Sequence, residues 1–301
     1  RSIPRERKGD HVGVAAALRK DDSLFPTHRD LSAQLTKGLD LNRVMAQFWG
    51  RIDGYTRGRD GNSHIGDWQG NRTWTVMSHL PIAYPVACGA ALAYKMRGQP
   101  RVAMAICGDG ATSNGRWHEA LNISAIHQLP VVWIVNNNLY AYSTPNPLEF
   151  PVPTIAERAG AYGMPGVRVD AQDVLDVYRL ARDAVERARE GGGPTLIESL
   201  SLRWRGHAGH DPAKYVPKEL LEEYMTQKDP VRRFEELLRS RGIVSEQDVA
   251  DLDERIRAAF EAGYEYALTS PFPEPGDVTK GLYTDDGYWA SEPGRGGGTQ
   301  T

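Results

Sequence analysis

Gly108-Asp109-Gly110 closes a short apolar run, Arg101-Val-Ala-Met-Ala-Ile-Cys107, and Asn136-Asn-Asn138-Leu-Tyr140 closes the next one, Val131-Val-Trp-Ile-Val135. Open parallel sheets bind ligands at the carboxyl ends of their strands, and glycines there let backbone approach an anionic group closely. A carboxylate and a carboxamide oxygen at neighbouring strand tips, joined by a main-chain carbonyl and phosphate oxygens, make an octahedral all-oxygen Mg²⁺ site that holds a diphosphate. Taken singly, Gly-Asp-Gly is an ordinary turn, Asp109 a helix cap and the asparagines a polar strand end. Their joint spacing carries the cofactor reading.

The elements that must position these residues follow from hydrophobic periodicity. Between the two runs, Arg116 to His127 places Trp117, Ala120, Leu121 and Ser124 at helical spacing, and Pro130 ends that helix, so this stretch is one βαβ unit. A second unit is predicted from Val167 to Val169 as a strand, Ala171 to Glu190 as a helix, and Pro194 to Leu202 as a strand. Its helix would bury Leu175, Tyr178, Leu180, Ala181, Ala184 and Val185 and stop at Gly191-Gly-Gly193. Upstream, Leu41 to Trp49 and Ile82 to Met96 read as helices. Downstream, Asp229-Pro230 and Ser245 to Asp248 read as caps of helices at Val231 to Arg239 and Val249 to Leu268.

Repeated βα units predict an α/β fold: a parallel sheet with helices on both faces and a helical C-terminal extension. Residues 1–285 are expected to form a single domain, and the Gly-rich stretch 286–301 a flexible tail. The chain has 301 residues, 40% of them hydrophobic and 25% charged, enough apolar material for a sizeable core and incompatible with a disordered or disulfide-scaffold protein. A net charge of −3 selects neither nucleic acid nor an anionic membrane as partner. No apolar run reaches the roughly 18 residues needed to span a bilayer. The only cysteines, Cys88 and Cys107, lack metal-ligand spacing and point to a reducing compartment, so the cytoplasm is the expected location. The opening Arg-Ser-Ile-Pro, without an initiator Met, sets the expectation of a longer parent chain.

The Gly-Asp-Gly and Asn-Asn pair resembles the thiamine-diphosphate motif. Gly108-Asp-Gly-Ala-Thr-Ser-Asn-Gly115, Glu119-Ala-Leu-Asn122, Leu129-Pro130, Asn137-Asn-Leu-Tyr-Ala-Tyr-Ser-Thr144 and Trp204-Arg-Gly-His207-Ala-Gly-His210-Asp-Pro212 narrow the resemblance further. Across about residues 10 to 275 the chain is similar to the alpha subunit of the decarboxylating component of two-chain pyruvate, branched-chain 2-oxo acid and acetoin dehydrogenases. That resemblance implies the thiamine-diphosphate-binding fold, with Asp109, the Asn138 side chain and the Tyr140 main-chain oxygen on Mg²⁺. It places Gly108, Gly110 and Ala111 at the diphosphate, with Arg29 of Phe25-Pro-Thr-His28-Arg29 as its clamp, a task suited to a planar, permanently charged guanidinium. His28 stands beside it where relatives carry tyrosine. Ser78 and Leu80 would lie along the thiamine ring, and Asn136 would contact the cofactor where branched-chain relatives carry arginine. Met77, Ile82 and Ala83 replace the oxygen-bearing side chains that hold potassium in those relatives.

His207 takes the family's catalytic place, and Ala208 occupies the phosphorylation position of animal enzymes. The implied reaction is oxidative decarboxylation of a small-molecule 2-oxo acid, with the acyl group passed to the lipoyl group of a partner acyltransferase. A branched-chain substrate is slightly preferred to pyruvate. The glutamate that activates the thiamine ring lies on the beta subunit in this family, so a heterotetramer of two alpha and two beta chains is implied. An acetoin dehydrogenase alpha subunit and a catalytically silent scaffold homologue are the alternatives.

Other constellations have plainer readings. His207, His210 and Asp211 are the right residue types for a transition metal but lack the spacing of a zinc motif. His118-Glu119 reads as helix surface beside a buried structural glutamate that could orient or cap the Asp109 turn. His79, Cys88 and Cys107 read as packing residues.

Overall fold

The computed structural model describes residues 8–281, and the predicted tail at 286–301 and the end of the 1–285 domain lie outside the described residues. In chain order the first elements are α1 (Lys8–Ala16), β1 (Ser23–Phe25), α2 (Leu31–Lys37), α3 (Leu41–Phe48), α4 (Trp68–Asn71) and α5 (Ala83–Met96). The strand-rich centre follows as β2 (Ala103–Gly108), α6 (Gly115–Ile126), β3 (Val131–Asn137), the small hairpin β4 (Tyr140–Ala141) and β5 (Thr144–Pro145), β6 (Gly166–Asp170), α7 (Val174–Arg189) and β7 (Thr195–Leu200). Helices α8 (Lys218–Thr226), α9 (Pro230–Ser240) and α10 (Glu246–Thr269) follow.

Five strands form one parallel sheet in the order β1-β2-β3-β7-β6. Side chains alternate across a strand, so β2 and β3 feed two cores. Ala103, Ala105, Cys107, Val131, Trp133 and Val135 pack under Tyr84, Ala87 and Ala91 of α5 and Trp117, Ala120 and Leu121 of α6. Met104, Ile106, Val132 and Ile134 face the other way, against Val14 of α1 and Val177, Ala181, Ala184, Val185 and Ala188 of α7. Helices therefore cover both faces, as the βα repeat predicts.

Within α7 the buried stripe begins at Val177, while Leu175 is exposed and Tyr178 half-buried, contrary to the sequence expectation. Positions 177, 181, 184, 185 and 188 form the tighter i, i+4, i+7, i+8, i+11 stripe, and their small side chains let the helix approach the sheet. The caps are where local chemistry puts them. Asp229 accepts from the Val231 and Arg232 amides with Pro230 opening α9, and Ser245 with Asp248 forms a capping box for α10. Strand β3 runs two residues past the apolar stretch, because Asn136 pairs with Gly108 and Asn137 with Leu200 of flanking strands.

Candidate active site

Asp109 leaves the tip of β2 into a single 3₁₀ turn, Asp109–Ser113, and is 2% exposed. It does not cap α6; Asn114 does, accepting from the Arg116 amide at 3.0 Å. Instead Asp109 accepts two side-chain amides, Asn138 Nδ2 at 3.2 Å and Asn146 Nδ2 at 3.0 Å. Gly110 follows without a Cβ because one would meet the Ala141 Cβ at 2.5 Å. The turn after β3 is shaped from within: Asn137 accepts from the Leu139 amide and donates to Glu198, which is fully buried and also receives the Ala156 amide. Leu139 is driven to a φ of 72°, turning the Asn138 side chain and the Tyr140 carbonyl toward the Asp109 loop.

A cation already rests on this oxygen set. Arg203 Nη1 donates to Asn138 Oδ1 and to the Tyr140 carbonyl, each at 3.2 Å, while Nη2 donates to the Tyr142 carbonyl and the Tyr215 hydroxyl at 2.6 Å. Two of the three oxygens expected on Mg²⁺ thus converge on one positive charge beside the Asp109 carboxylate, which is donor chemistry that fits a hard cation. Glu149 stands next to them. Its Oε1 accepts from the Ala141 amide at 2.7 Å, and burial together with the nearby Asp109 charge pushes its carboxyl up to about 7.

Arg203 also links this cluster to the loop carrying His207. Arg29 Nη2 donates to the His207 carbonyl at 2.6 Å, and the His207 amide donates to Asp211 Oδ2 at 2.6 Å. Asp211 accepts from the Tyr215 hydroxyl as well, which with the Ala213 and His207 amides holds its carboxyl down to about 2. Those bonds turn Asp211 back into its own loop, away from any shared metal position with His207 and His210. The His207 ring lies 4.6 Å from the Tyr142 ring, and its Nδ1 has no hydrogen-bond partner. Burial, then the positive charges of Arg29, Arg203 and His28, push this imidazole down to about 4, so it is neutral near pH 7.

The structure therefore brings Asp109, Gly110, Asn138, Tyr140, Arg203 and Glu149 into one group and joins it through Arg203, Tyr215 and Asp211 to the His207 loop, where Arg29 bonds the His207 carbonyl and the His28 charge acts on the His207 ring. Gly108 and Ala111 flank Asp109 on the same turn. Other expected residues lie outside this hydrogen-bonded group. Asn136 is buried on the sheet face covered by α1, with Nδ2 3.0 Å from His11 Nε2, because strand alternation turns it opposite to Asn137. Ser78 hydrogen-bonds His64, and the Leu80 amide donates to the Ser78 carbonyl. His79 and Glu119 are exposed, contrary to expectation, since each falls on the outer side of its segment. Cys88 and Cys107 are buried thiols pushed up to about 12 by that burial, in keeping with packing roles. Sequence reading missed Arg203, Glu149 and His64. Only Arg203 carried a usable sign, as an arginine four residues before His207.

Fold and site define a parallel α/β protein with an oxygen cluster gathered on Arg203 at its strand tips. The chain belongs to the dehydrogenase E1 component family, whose model matches residues 5–276. It is 36% identical over 275 residues to the alpha subunit of acetoin:2,6-dichlorophenolindophenol oxidoreductase of Bacillus subtilis, covering 90% of this chain and 81% of that one. It is 34% identical over 282 residues to the pyruvate dehydrogenase E1 component subunit alpha of Porphyra purpurea, covering 91% and 81%. A third relative, the 3-methyl-2-oxobutanoate dehydrogenase subunit alpha of Mycobacterium tuberculosis, is 36% identical over 261 residues, covering 84% and 65%. Membership implies thiamine diphosphate as cofactor and a beta subunit as partner.

Proposed function

We propose that this chain is the alpha subunit of a thiamine-diphosphate- and Mg²⁺-dependent enzyme that decarboxylates a 2-oxo acid and passes the acyl group to a lipoyl-bearing acyltransferase. The observation that carries the reading is the convergence of Asn138 Oδ1 and the Tyr140 carbonyl on one positive charge beside Asp109. Asp109, Asn138 and Tyr140 would hold Mg²⁺, and Gly108, Gly110 and Ala111 with Arg29 would hold the diphosphate. Ser78 and Leu80 would support the thiamine ring. When bound, thiamine diphosphate supplies the carbanion and electron sink that allow CO₂ to leave a 2-oxo acid.

The chain's own contribution is positioning and proton handling. His207 is neutral, held by its main chain between Arg29 and Asp211, and offers an unpartnered ring nitrogen to accept a proton or hydrogen bond. Assembly as two alpha and two beta chains is supported by Leu252, Ile256 and Phe260, which recur one turn apart on α10 and remain exposed. Among the described residues no helix is long and apolar enough to cross a membrane, and two buried free thiols favour a reducing compartment such as the cytoplasm.

The test is turnover by the chain assembled with its beta subunit, using pyruvate, 3-methyl-2-oxobutanoate and acetoin with a lipoyl acceptor. Decarboxylation of a 2-oxo acid that depends on both chains is the expected result; acetoin cleavage alone would move the assignment to the runner-up, a reading that similarity to the Bacillus subtilis protein supports. Activity of the isolated chain would contradict a site shared between subunits. Loss of Mg²⁺-dependent thiamine diphosphate binding in Asp109→Ala, with the fold retained, separates the enzyme from a silent scaffold.

A further inference from the structure

Asn146 is the second side chain on the Asp109 carboxylate, and neither the strand-tip motifs nor the His207 loop accounts for it. Its Nδ2 donates to Asp109 Oδ2 at 3.0 Å, while Asn138 Nδ2 donates to Oδ1 at 3.2 Å. The chain reaches this position by doubling back. Strands β4 and β5 pair antiparallel, Tyr140 opposite Pro145 and Ala141 opposite Thr144, which sets residue 146 beside the residue before Tyr140. There the Asn146 amide donates to the Leu139 carbonyl at 3.1 Å. The Asn146 carbonyl accepts from the Glu149 amide at 2.9 Å and the Phe150 amide at 3.2 Å, and the Phe150 side chain is buried in the core that α5 and α6 cover. Pro145 and Pro147 fix φ on either side, so the backbone that carries this side chain has little freedom.

Both oxygens of Asp109 thus carry an amide donor, and the two donors stand in different relations to a cation. Asn138 turns its own Oδ1 to the cluster that Arg203 gathers, so under the thiamine reading it is itself a ligand. Asn146 is tied to the hairpin instead. A hydrogen bond from an amide to a carboxylate is among the stronger ones in a protein, and it draws charge from the oxygen that accepts it. A cation that takes one oxygen of Asp109 leaves the Asn146 bond whole, whereas one that takes both must compete with it. Mg²⁺ is of the first kind, because the narrow bite of a two-oxygen carboxylate does not fit the right angles of its octahedron. Ca²⁺ is of the second, being larger, more flexible in geometry and readily held by both oxygens of one carboxylate.

We propose that Asn146 is a positioning residue that keeps Asp109 a one-oxygen ligand and so selects Mg²⁺ over Ca²⁺ at the strand tips. The inference rests on the magnesium and thiamine diphosphate reading above and adds to it a side chain outside the three that would hold the metal. The hairpin makes the selection possible. Because main-chain bonds to Leu139, Glu149 and Phe150 fix Asn146, its amide does not follow Asp109 when the carboxylate turns to offer both oxygens. Without that amide, Oδ2 regains its full basicity, and the ion with room for more oxygens gains a contact that the smaller ion has no place for.

The experiment measures the dissociation constant of thiamine diphosphate by calorimetry, with Mg²⁺ and separately with Ca²⁺, on the chain assembled with its beta subunit. Asn146→Leu keeps the shape of the side chain and removes the donor. The ratio of the Ca²⁺ constant to the Mg²⁺ constant should then fall about tenfold from its wild-type value, the effect of one amide–carboxylate hydrogen bond. Asn146→Asp also keeps the shape and has no N–H to give, so it should shift the ratio the same way, and it decides the question if thermal melts show that the leucine variant does not fold. An unchanged ratio, with both cations bound as before or both weakened alike, overturns the proposal and leaves the magnesium reading standing. Failure of both cations to support thiamine diphosphate binding to the wild type removes the reading and the inference together. A second readout needs no variant: in crystals of the wild-type complex with Mg²⁺, Asp109 should touch the metal through one oxygen with Asn146 Nδ2 still on the other. A two-oxygen contact there overturns the proposal outright.

Discussion

The Arg203 guanidinium donates to Asn138 Oδ1 at 3.2 Å, across 65 residues of chain, and thereby occupies an oxygen that the thiamine reading assigns to Mg²⁺. Arg203 is 5% exposed, and the same group anchors the Tyr142 carbonyl, the Tyr215 hydroxyl and the Arg205 carbonyl. One side chain therefore satisfies the strand-tip oxygens and the His207 loop together.

Replacing Arg203 with Met should strand Asn138 Oδ1 and the Tyr140 carbonyl, at a cost of about 1–3 kcal/mol for buried acceptors left without donors. Mg²⁺ with thiamine diphosphate should then raise the thermal midpoint of the variant more than that of the wild type, because a bound cation restores the lost partner. Equal shifts would show that guanidinium and cation do not share these oxygens. Limited proteolysis should cut the 203–216 segment several-fold faster in the variant.

His207 is held down to about 4 by burial and by Arg29, Arg203 and His28, while an unfolded histidine titrates near 6.5. Between those values the unfolded chain takes up a proton that the native one refuses, so this group's contribution to stability is present above 6.5 and is lost as pH falls toward 4. Proton NMR of the His207 ring should show no titration step between about pH 5.5 and 8. A step near 6.5 would mean that the ring is more open to solvent and less crowded by charge than the structure has it.

Glu149 behaves with the opposite sign. Burial and the Asp109 charge raise its carboxyl to about 7, so the native chain keeps a proton that the unfolded chain has released from about 4.5 upward, and the contribution is lost as pH rises through 7. In metal-free chain, Glu149→Gln should flatten that decline: stability of the variant relative to wild type should increase from pH 5 to pH 8. Parallel profiles from thermal melts would remove Glu149 from the Asp109 environment.

Gly110→Ala places a Cβ 2.5 Å from that of Ala141, between the two halves of the site. Overpacking there should cost about 1–3 kcal/mol and weaken thiamine diphosphate binding, since the displaced Ala141 follows directly on Tyr140. Gly89→Ala on α5, where nothing lies within 4 Å of the added carbon, is the control and should be stabilising by about 0.5–1 kcal/mol. Urea unfolding of both variants measures the difference.

Much of this architecture was legible because it is written in short-range patterns. Apolar runs marked β2 and β3, Asp229-Pro230 marked the start of α9 within a residue, and the Ser245 box marked α10, which begins at Glu246, three residues before the expected Val249. The pairing of Asp109 with Asn138 followed from one rule, that successive parallel strands joined by a right-handed helix end side by side. β1 escaped because three residues are too few to show a period, and the buried stripe of α7 was misplaced because Leu175 and Tyr178 are the more hydrophobic side chains while the sheet needed small ones.

By itself the sequence determined the strands β2, β3, β6 and β7 and the helices α3, α5, α6, α7, α9 and α10, which glycines and oxygen donors stand at the strand tips, and the family to which those motifs belong. The tertiary structure alone decided that Asn136 turns toward His11 while Asn137 buries against Glu198, that Arg203 reaches back to Asn138, and that Asp60, His64 and Ser78 line up. The reason is physical. Periodicity records how each residue meets its near neighbours, whereas a hydrogen bond between residues tens of positions apart is set by how whole elements pack, and no local spacing encodes that.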